Sequence, residues 1–439
     1  MNSVLNITAA QVSDRHWVKW VQQIQRNRLG MLALQTDIEI RSAHDGAVSA
    51  LDIESEERYL LSGGADGRVS LYDLKSNTKP TSAADKIRCN CIVSAMSVSN
   101  SQQYSSHLNY VSSVQWYPID NGLFCTSGLD GVLKLWDTNN FSVAANFNIG
   151  DKVYASKMNT SGKIAVASGS ESVKICDPMT GSFTHTLVGH SSAIMSVDWD
   201  PYSEYILASG SADGSVMLWD TRKGGISALL LAFDWRELGQ SHKNSANVGK
   251  PFTRVVKNST DSKIQSARRD FSRAHMAKAH DGGVMSLKFS RCGRFLLSSG
   301  NDGRLRMWDP QHGTLFDAHF QTSCKSKLAY QMCIAELSGG SSEDTLIYPA
   351  GKSGDIYLAR LHSISGQRVH ALKGHYDMVN AICFLPARLL CYCVCVCVCV
   401  CLFCVYTCVF MRAHTHPPPF IYKRLSLSVF LCVSIYMCM

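Results

Sequence analysis

Four stretches of the chain repeat one alternation of apolar and polar positions: "LSGGADGRVSLYD" (61–73), "CTSGLDGVLKLWD" (125–137), "ASGSADGSVMLWD" (208–220) and "SSGNDGRLRMWD" (298–309). Period-two alternation places successive side chains on opposite faces of a strand. The Asp-Gly pair between two such runs is a tight hairpin, because glycine takes the backbone angles that other residues avoid. Weaker copies are "VASGSESVKICD" (166–177) and "YPAGKSGDIYLAR" (348–360). Upstream of the strong copies stand His44, His107, His190 and His280, each followed by an alternating strand such as "AIMSVDW" (193–199). The histidine precedes Asp66 and Asp302 by 22 residues, and Asp130 and Asp213 by 23. One segment has a different period. In "SDRHWVKWVQQIQRNRLG" (13–30), Trp17, Trp20, Val21 and Ile24 share a helical face, Ser13 or Asp14 can cap and Gly30 can stop.

These repeats resemble the WD40 family, with its His opening and Trp-Asp ending. The resemblance implies an all-β, seven-bladed β-propeller with four strands per blade, preceded by a short N-terminal α-helical segment. A seventh opening, "LKGHYDMVNAICF" (372–384), starts a blade that is incomplete. By the family's phasing, "DIEI" (37–40) is the outer strand of the last blade. The expected domains are residues 1–36 as a helical adaptor-binding segment, 37–385 as the propeller, and 386–439 as a low-complexity tail. Insertions lengthen the chain at 75–109 and at 223–278. The second insertion is basic and poor in large apolar residues, which predicts a mobile loop.

Serine, histidine and aspartate recurring together invite a hydrolytic reading, but a catalytic triad is a single geometric site and this set recurs blade after blade. The family's pattern implies buried hydrogen-bonded tetrads instead: His44–Ser62–Asp66–Tyr72, His107–Thr126–Asp130–Trp136, His190–Ser209–Asp213–Trp219 and His280–Ser298–Asp302–Trp308. There is no phosphate-cradling glycine loop, and the pair Cys89 and Cys91 lacks a partner pair for zinc. No enzyme, cofactor or metal is expected. The net charge of +8 fits a solvated, mildly basic surface, and the N-terminus has no secretory pattern. Reduced thiols in a cytosolic or nuclear protein are the plain reading of the scattered cysteines.

Longer strings, among them "VQWYPIDNGLFCTSGLDGVLKLWDTN" (114–139) and "GSFTHTLVGHSSAIMSVDW" (181–199), resemble the Cockayne syndrome group A family. That resemblance implies a nuclear, non-catalytic substrate receptor of a cullin–RING ubiquitin ligase acting in transcription-coupled nucleotide excision repair. Its implied adaptor is the large subunit of the damage-specific DNA-binding complex. Its implied substrates are the Cockayne syndrome group B ATPase and stalled RNA polymerase II, with no direct DNA contact and no membrane. Trp219, Asp220 and Arg222 would face the adaptor, together with Trp17, Trp20, Val21 and Ile24. The alternative is a WD40 interaction scaffold outside ubiquitin ligases, in chromatin or RNA processing.

After "NAICF" the pattern stops. Residues 389–411 carry no charge and include "CVCVCVCVC" (393–401). The length of this stretch suits a membrane span, its thiols a soft-metal site and its alternation an edge strand. Codon arithmetic favours another origin: TGT-GTG repeats read Cys-Val, GCA-CAC-ACA-CAC reads Ala-His-Thr-His (413–416), and CTC-TCT reads Leu-Ser (425–428). Translated non-coding sequence is the reading adopted for 386–439, together with a poorly stable chain.

Overall fold

In the computed structural model every Asp-Gly pair of the strong repeats is the turn of a hairpin. Gly67, Gly131, Gly214 and Gly303 take φ of 78°, 79°, 86° and 76°. The description covers residues 34–35, 38–40, 43–78, 87–95, 106–236, 277–318, 320, 329–336, 344–350, 354–361, 368–372, 379–385, 390–395 and 437–438. The predicted helix at 13–30, with Trp17, Trp20, Val21 and Ile24, lies outside these residues, as do most of the 223–278 insertion and most of the tail. Among the described residues there is no α-helix, so nothing in the fold supports a helical segment; one 3-10 turn spans Gly225–Ala228.

Six antiparallel sheets follow one another along the chain as blades. Blade one holds Val48–Ile53, Tyr59–Gly64, Val69–Thr78 and Ile87–Ala95. Blade two holds Val111–Trp116, Leu123–Gly128, Val132–Asp137 and Ser142–Asn148. Blade three holds Val153–Met158, Ile164–Ser168, Ser172–Asp177 and Ser182–Val188. Blade four holds Ile194–Trp199, Ile206–Ser211, Val216–Asp220 and Leu229–Ala232. Blade five has three strands, Val284–Phe289, Leu296–Gly300 and Leu305–Trp308. Blade six holds Cys333–Glu336, Asp344–Ala350, Asp355–Arg360 and Arg368–Leu372.

The expected seven blades are therefore corrected to six. In the seventh position the described residues form a two-stranded ribbon, Val379–Leu385 paired with Leu390–Cys395. No Asp-Gly turn or Trp-ending strand follows Leu385 in the sequence, so a third strand has nothing to form from. The ribbon's first strand is nonetheless seated: Val379, Ala381 and Ile382 are buried, and the Asn380 carbonyl accepts the Gln331 amide of blade six at 2.8 Å. Cys393, Val394 and Cys395 belong to its second strand.

Two further expectations are revised. Ile38–Ile40 does not complete the last blade but runs parallel to Ile87–Ala95 as a fifth, outermost strand of blade one. The last blade lacks the third strand that would receive it. The second insertion begins later than 223, because Leu229–Ala232 is blade four's outer strand and Phe233 is fully buried behind it. Likewise Ile87–Ala95, inside the first insertion, is blade one's fourth strand.

Side chains on the innermost strands tie blade one to two, two to three and four to five. Asp52 Oδ2 accepts the Trp116 amide at 2.7 Å, Gln115 Oε1 accepts the Met158 amide at 2.8 Å, and Asp198 Oδ2 accepts the Phe289 amide at 2.8 Å. Between the blades the core is apolar and continuous, for example Trp219 with Ile194, Val197 and Leu207. In an up-and-down blade the first-to-second and third-to-fourth connections lie at one end. The Asp-Gly turns and the histidine loops lie at the other.

Candidate interaction face and buried tetrads

The histidine end is built from hydrogen bonds within each blade. In blade two, Trp136 Nε1 donates to Thr126 Oγ1 at 2.8 Å, Thr126 Oγ1 and His107 Nε2 are 2.8 Å apart, and His107 Nδ1 is 3.0 Å from Asp130 Oδ2. One proton arrangement satisfies every group: indole N–H to hydroxyl oxygen, hydroxyl O–H to Nε2, and Nδ1–H to carboxylate. Blade five shows the same contacts, with Trp308 Nε1 to Ser298 Oγ at 2.8 Å, Ser298 Oγ to His280 Nε2 at 2.7 Å, and His280 Nδ1 to Asp302 Oδ1 at 3.1 Å, but there Arg306 Nη1 also stands 2.6 Å from His280 Nδ1. In blade one, His44 bridges Ser62 at 2.6 Å and Asp66 at 3.1 Å, while the Tyr72 hydroxyl bonds Ser62 and accepts the Ala43 amide at 3.2 Å.

Blade four departs from the pattern. His190 Nε2 meets Ser209 Oγ at 2.6 Å, and Trp219 Nε1 donates to that oxygen at 2.7 Å. His190 Nδ1, however, bonds Ser215 Oγ at 2.7 Å, and Ser215 passes the bond to Asp213 Oδ1 at 2.5 Å; Asp213 itself is 3.7 Å from the ring. In blade five Arg306 adds a donor, with Nη1 2.9 Å from Asp302 Oδ2. Neither Ser215 nor Arg306 was singled out from the sequence. The available signal was a polar residue two positions after the aspartate or two before the tryptophan, where Lys134 and Lys174 also stand. Those lysines cap carbonyls instead, Ser106 O at 2.7 Å and Ile149 O at 2.8 Å.

Burial works against the charge on each tetrad aspartate, yet the nearby histidine together with backbone amides, and Ser215 in the case of Asp213, overcomes it and holds Asp66, Asp130, Asp213 and Asp302 below the usual carboxylate range. Burial lowers the His280 pKa, despite Asp302, and keeps that ring neutral. Ser62, Thr126, Ser209 and Ser298 are fully buried, and three of these hydroxyls already accept a tryptophan N–H. A substrate cannot reach such a hydroxyl, so the geometry is that of a pin rather than a nucleophile. The pins also join blades. The His107 amide donates to Gly67 O at 3.0 Å and the His280 amide to Gly214 O at 2.9 Å. A Cβ at either glycine would collide with the backbone oxygen of that histidine.

The opposite end carries Trp219, Asp220 and Arg222, and the structure divides them. Trp219 is fully buried in its tetrad and Asp220 is 3% exposed, so only Arg222, 62% exposed at its side chain, reaches the surface. Its fork is taken by its own neighbour: Nε and Nη2 each donate to Asp220 at 2.9 Å, and the guanidinium lies over the Tyr205 ring at 5.3 Å. The Arg222 bond holds Asp220 below the usual carboxylate range, against the effect of burial.

Around Arg222 the same end presents Ile119, Met179, Tyr202 and Ile226, of which Met179 is 92% and Tyr202 78% exposed. The loops that carry Ile119 and Tyr202 are fastened sideways. Asn121 Nδ2 donates to Glu54 Oε2 at 3.0 Å between blades two and one, and Asn159 Nδ2 donates to Glu204 O at 3.0 Å between blades three and four. Phe183 and Tyr205 add apolar surface near the rim. The result is a firm platform with several large apolar side chains standing on it.

Among the described residues no group of three or more metal-binding side chains gathers. The Cys91 thiol is pushed up to about 11 by burial and donates to Val93 O at 3.2 Å, so it is not a thiolate. Cys125 and Cys176 are pushed up to about 12 by the same cause.

Comparison with known proteins agrees with this architecture. The WD domain, G-beta repeat profile matches residues 36–73, 98–137, 181–220 and 272–309. The WD repeat-containing protein ATCSA-1 of Arabidopsis thaliana is 30% identical over 404 residues, covering 83% of this chain and 87% of that protein. Radiation-sensitive protein 28 of Saccharomyces cerevisiae is 28% identical over 225 residues, 49% of this chain and 41% of its own length. The ribosome biogenesis protein WDR12 homolog of Anopheles gambiae is 27% identical over 216 residues, 45% of this chain and 48% of its own. For the last two relatives the chain spans less than half of their length. These likenesses correct the narrower resemblance to the Cockayne syndrome group A family: what they share is the WD40 repeat, and they include proteins named for ribosome biogenesis.

Proposed function

Because the chain belongs to the WD40-repeat family, we propose that it is a protein-interaction scaffold in a nuclear assembly of the chromatin or RNA-processing kind, and that its partner docks on the loop end bearing Ile119, Met179, Tyr202 and Ile226. WD40 propellers are generally non-catalytic scaffolds, and the relatives are named for repeats, radiation sensitivity or ribosome biogenesis rather than for a reaction. The observation that carries the reading is the set of large apolar side chains raised on laterally bonded loops at one end. A preformed platform loses little conformational freedom on binding, which is where a rigid scaffold gains over a flexible one. Ile38–Ile40, which runs parallel to Ile87–Ala95, also begins at this end.

A second reading is favoured by one specific observation, the surface position of Arg222 beside Asp220. It makes the chain a receptor subunit of a cullin–RING ubiquitin ligase, docking to the large subunit of the damage-specific DNA-binding complex. A role in transcription-coupled repair rested on the corrected resemblance and is not carried forward. Affinity purification separates the readings. Serine at Ile119, Met179 and Ile226 should abolish recovery of the partner that wild type retains, with an unchanged melting temperature. Recovery that survives the triple change refutes the docking end. If wild type recovers the ligase adaptor and Arg222→Ala loses it, the second reading replaces the first.

A further inference from the structure

The fifth residue of the inner strand is Asp52, Gln115, Lys157, Asp198 and Lys288 in blades one to five. At three of these positions the side chain accepts the amide of the next blade's sixth residue, as described for Asp52, Gln115 and Asp198. A lysine cannot accept. Lys288 instead turns back to Asp198, with Nζ 3.2 Å from Oδ1. Lys157 does neither. Its backbone carbonyl takes the Trp199 indole N–H at 2.8 Å, while no hydrogen bond or ion pair within 4 Å involves its ammonium among the described residues. Burial and the neighbouring Lys288 hold its pKa below the usual lysine value, although Asp52 and Asp198 pull the other way.

The ammonium lines a cavity of about 380 Å³ on the propeller axis, which Asp52, Gln115, Lys288, Arg291 and Tyr330 also line. Of the two carboxylates nearest Lys157, Asp198 is taken by Lys288, and burial raises the pKa of Asp52. The Lys157 ammonium is left without a carboxylate within 4 Å among the described residues, in a half-buried place where a charge interacts more strongly than in open water. A single carboxylate matches this one ammonium charge for charge, whereas a phosphate dianion would bring twice the charge. The fifth residue lies late in a strand that runs away from the histidine end, and Arg291 sits in the first-to-second loop of blade five. The channel therefore opens on the end that carries Met179 and Ile119.

We propose that the axial channel is a carboxylate-binding site, with Lys157 as its primary cation, that receives an aspartate or glutamate side chain from an acidic segment of a protein partner. The inference depends on the docking-end reading only for the side of entry.

Fluorescence anisotropy with a labelled hexaglutamate peptide tests it on the full chain. The expected result is saturable binding that hexaglutamine does not show, and that Lys157→Met weakens by about tenfold, the loss of one charged hydrogen bond. Lys157→Arg should retain it. The triple serine variant at Ile119, Met179 and Ile226 should also retain it, so failure of the docking end and failure of the channel are distinguishable. Tighter binding of a phosphoserine hexapeptide than of hexaglutamate, or no binding of hexaglutamate by folded protein, overturns the proposal. A second measurement needs no ligand: Lys157→Met should melt at or above wild type, because it removes an uncompensated charge. A lower melting temperature would assign Lys157 a structural role and defeat the proposal.

Discussion

Thr126→Val replaces a fully buried hydroxyl by a methyl of nearly the same shape, so it isolates the polar contribution of one tetrad. Thr126 Oγ1 is the partner of both Trp136 Nε1 and His107 Nε2, each at 2.8 Å. Without it, two buried groups lose their partner at once. An orphaned buried polar group costs about 1–3 kcal/mol, which puts the pair at roughly 2–6 kcal/mol. At roughly 2 °C per kcal/mol for a unit of this size, the melting temperature should fall by about 4–12 °C in calorimetry. Trp136→Phe in the same chain removes one of the orphans in advance. The double mutant should therefore be less destabilised than the two single changes added together, by roughly 1–2 kcal/mol. A Thr126→Val melt indistinguishable from wild type, or strictly additive changes, would show that the tetrads do not pin the blades and that their geometry has another purpose.

Acid should act through the same groups. The depressed His280 pKa means that the unfolded chain binds its proton first, so this contribution is complete above about pH 6.5 and is lost as the pH falls toward the folded value. The tetrad aspartates, also depressed, keep their contribution until the pH drops below about 4. Melting temperatures recorded from pH 8 to 5 should decline below about 6.5, and a rise on acidification would contradict the assignment. Gly214→Ala should be far more damaging than its size suggests, because φ is 86° and the new Cβ would strike His280 O of the next blade. Loss of soluble, cooperatively melting protein is expected, whereas Gly225→Ala, at φ 61° with open space around it, should fold.

The blades were legible in advance because each is written in one local run. His44 and Asp66, or His280 and Asp302, are separated by 22 residues, and the hairpin that joins them closes over that short distance. The N-terminal strand was misassigned for the opposite reason. Ile38–Ile40 can pair with any free edge, and its choice of Ile87–Ala95 depends on which edges the other blades leave open. The tail shows the same limit. Alternation at "CVC" was sufficient for a strand at Leu390–Cys395, but nothing in it specified the third and fourth strands of a blade.

The sequence alone determined the repeating β-hairpins, their glycine turns and the histidine, hydroxyl and aspartate of each tetrad, since these meet within a single blade. Only the tertiary structure decided what happens between blades. It buried Trp219 and left Arg222 outside, slipped Ser215 between His190 and Asp213, and set Lys157 on the axis without an acceptor of its own. The physical reason is that alternation tells which face of a strand a residue occupies and not which neighbour waits across the gap. The inner strands of blades one, three and five share nearly one apolar pattern, yet Asp52, Lys157 and Lys288 at the same position meet three different surroundings.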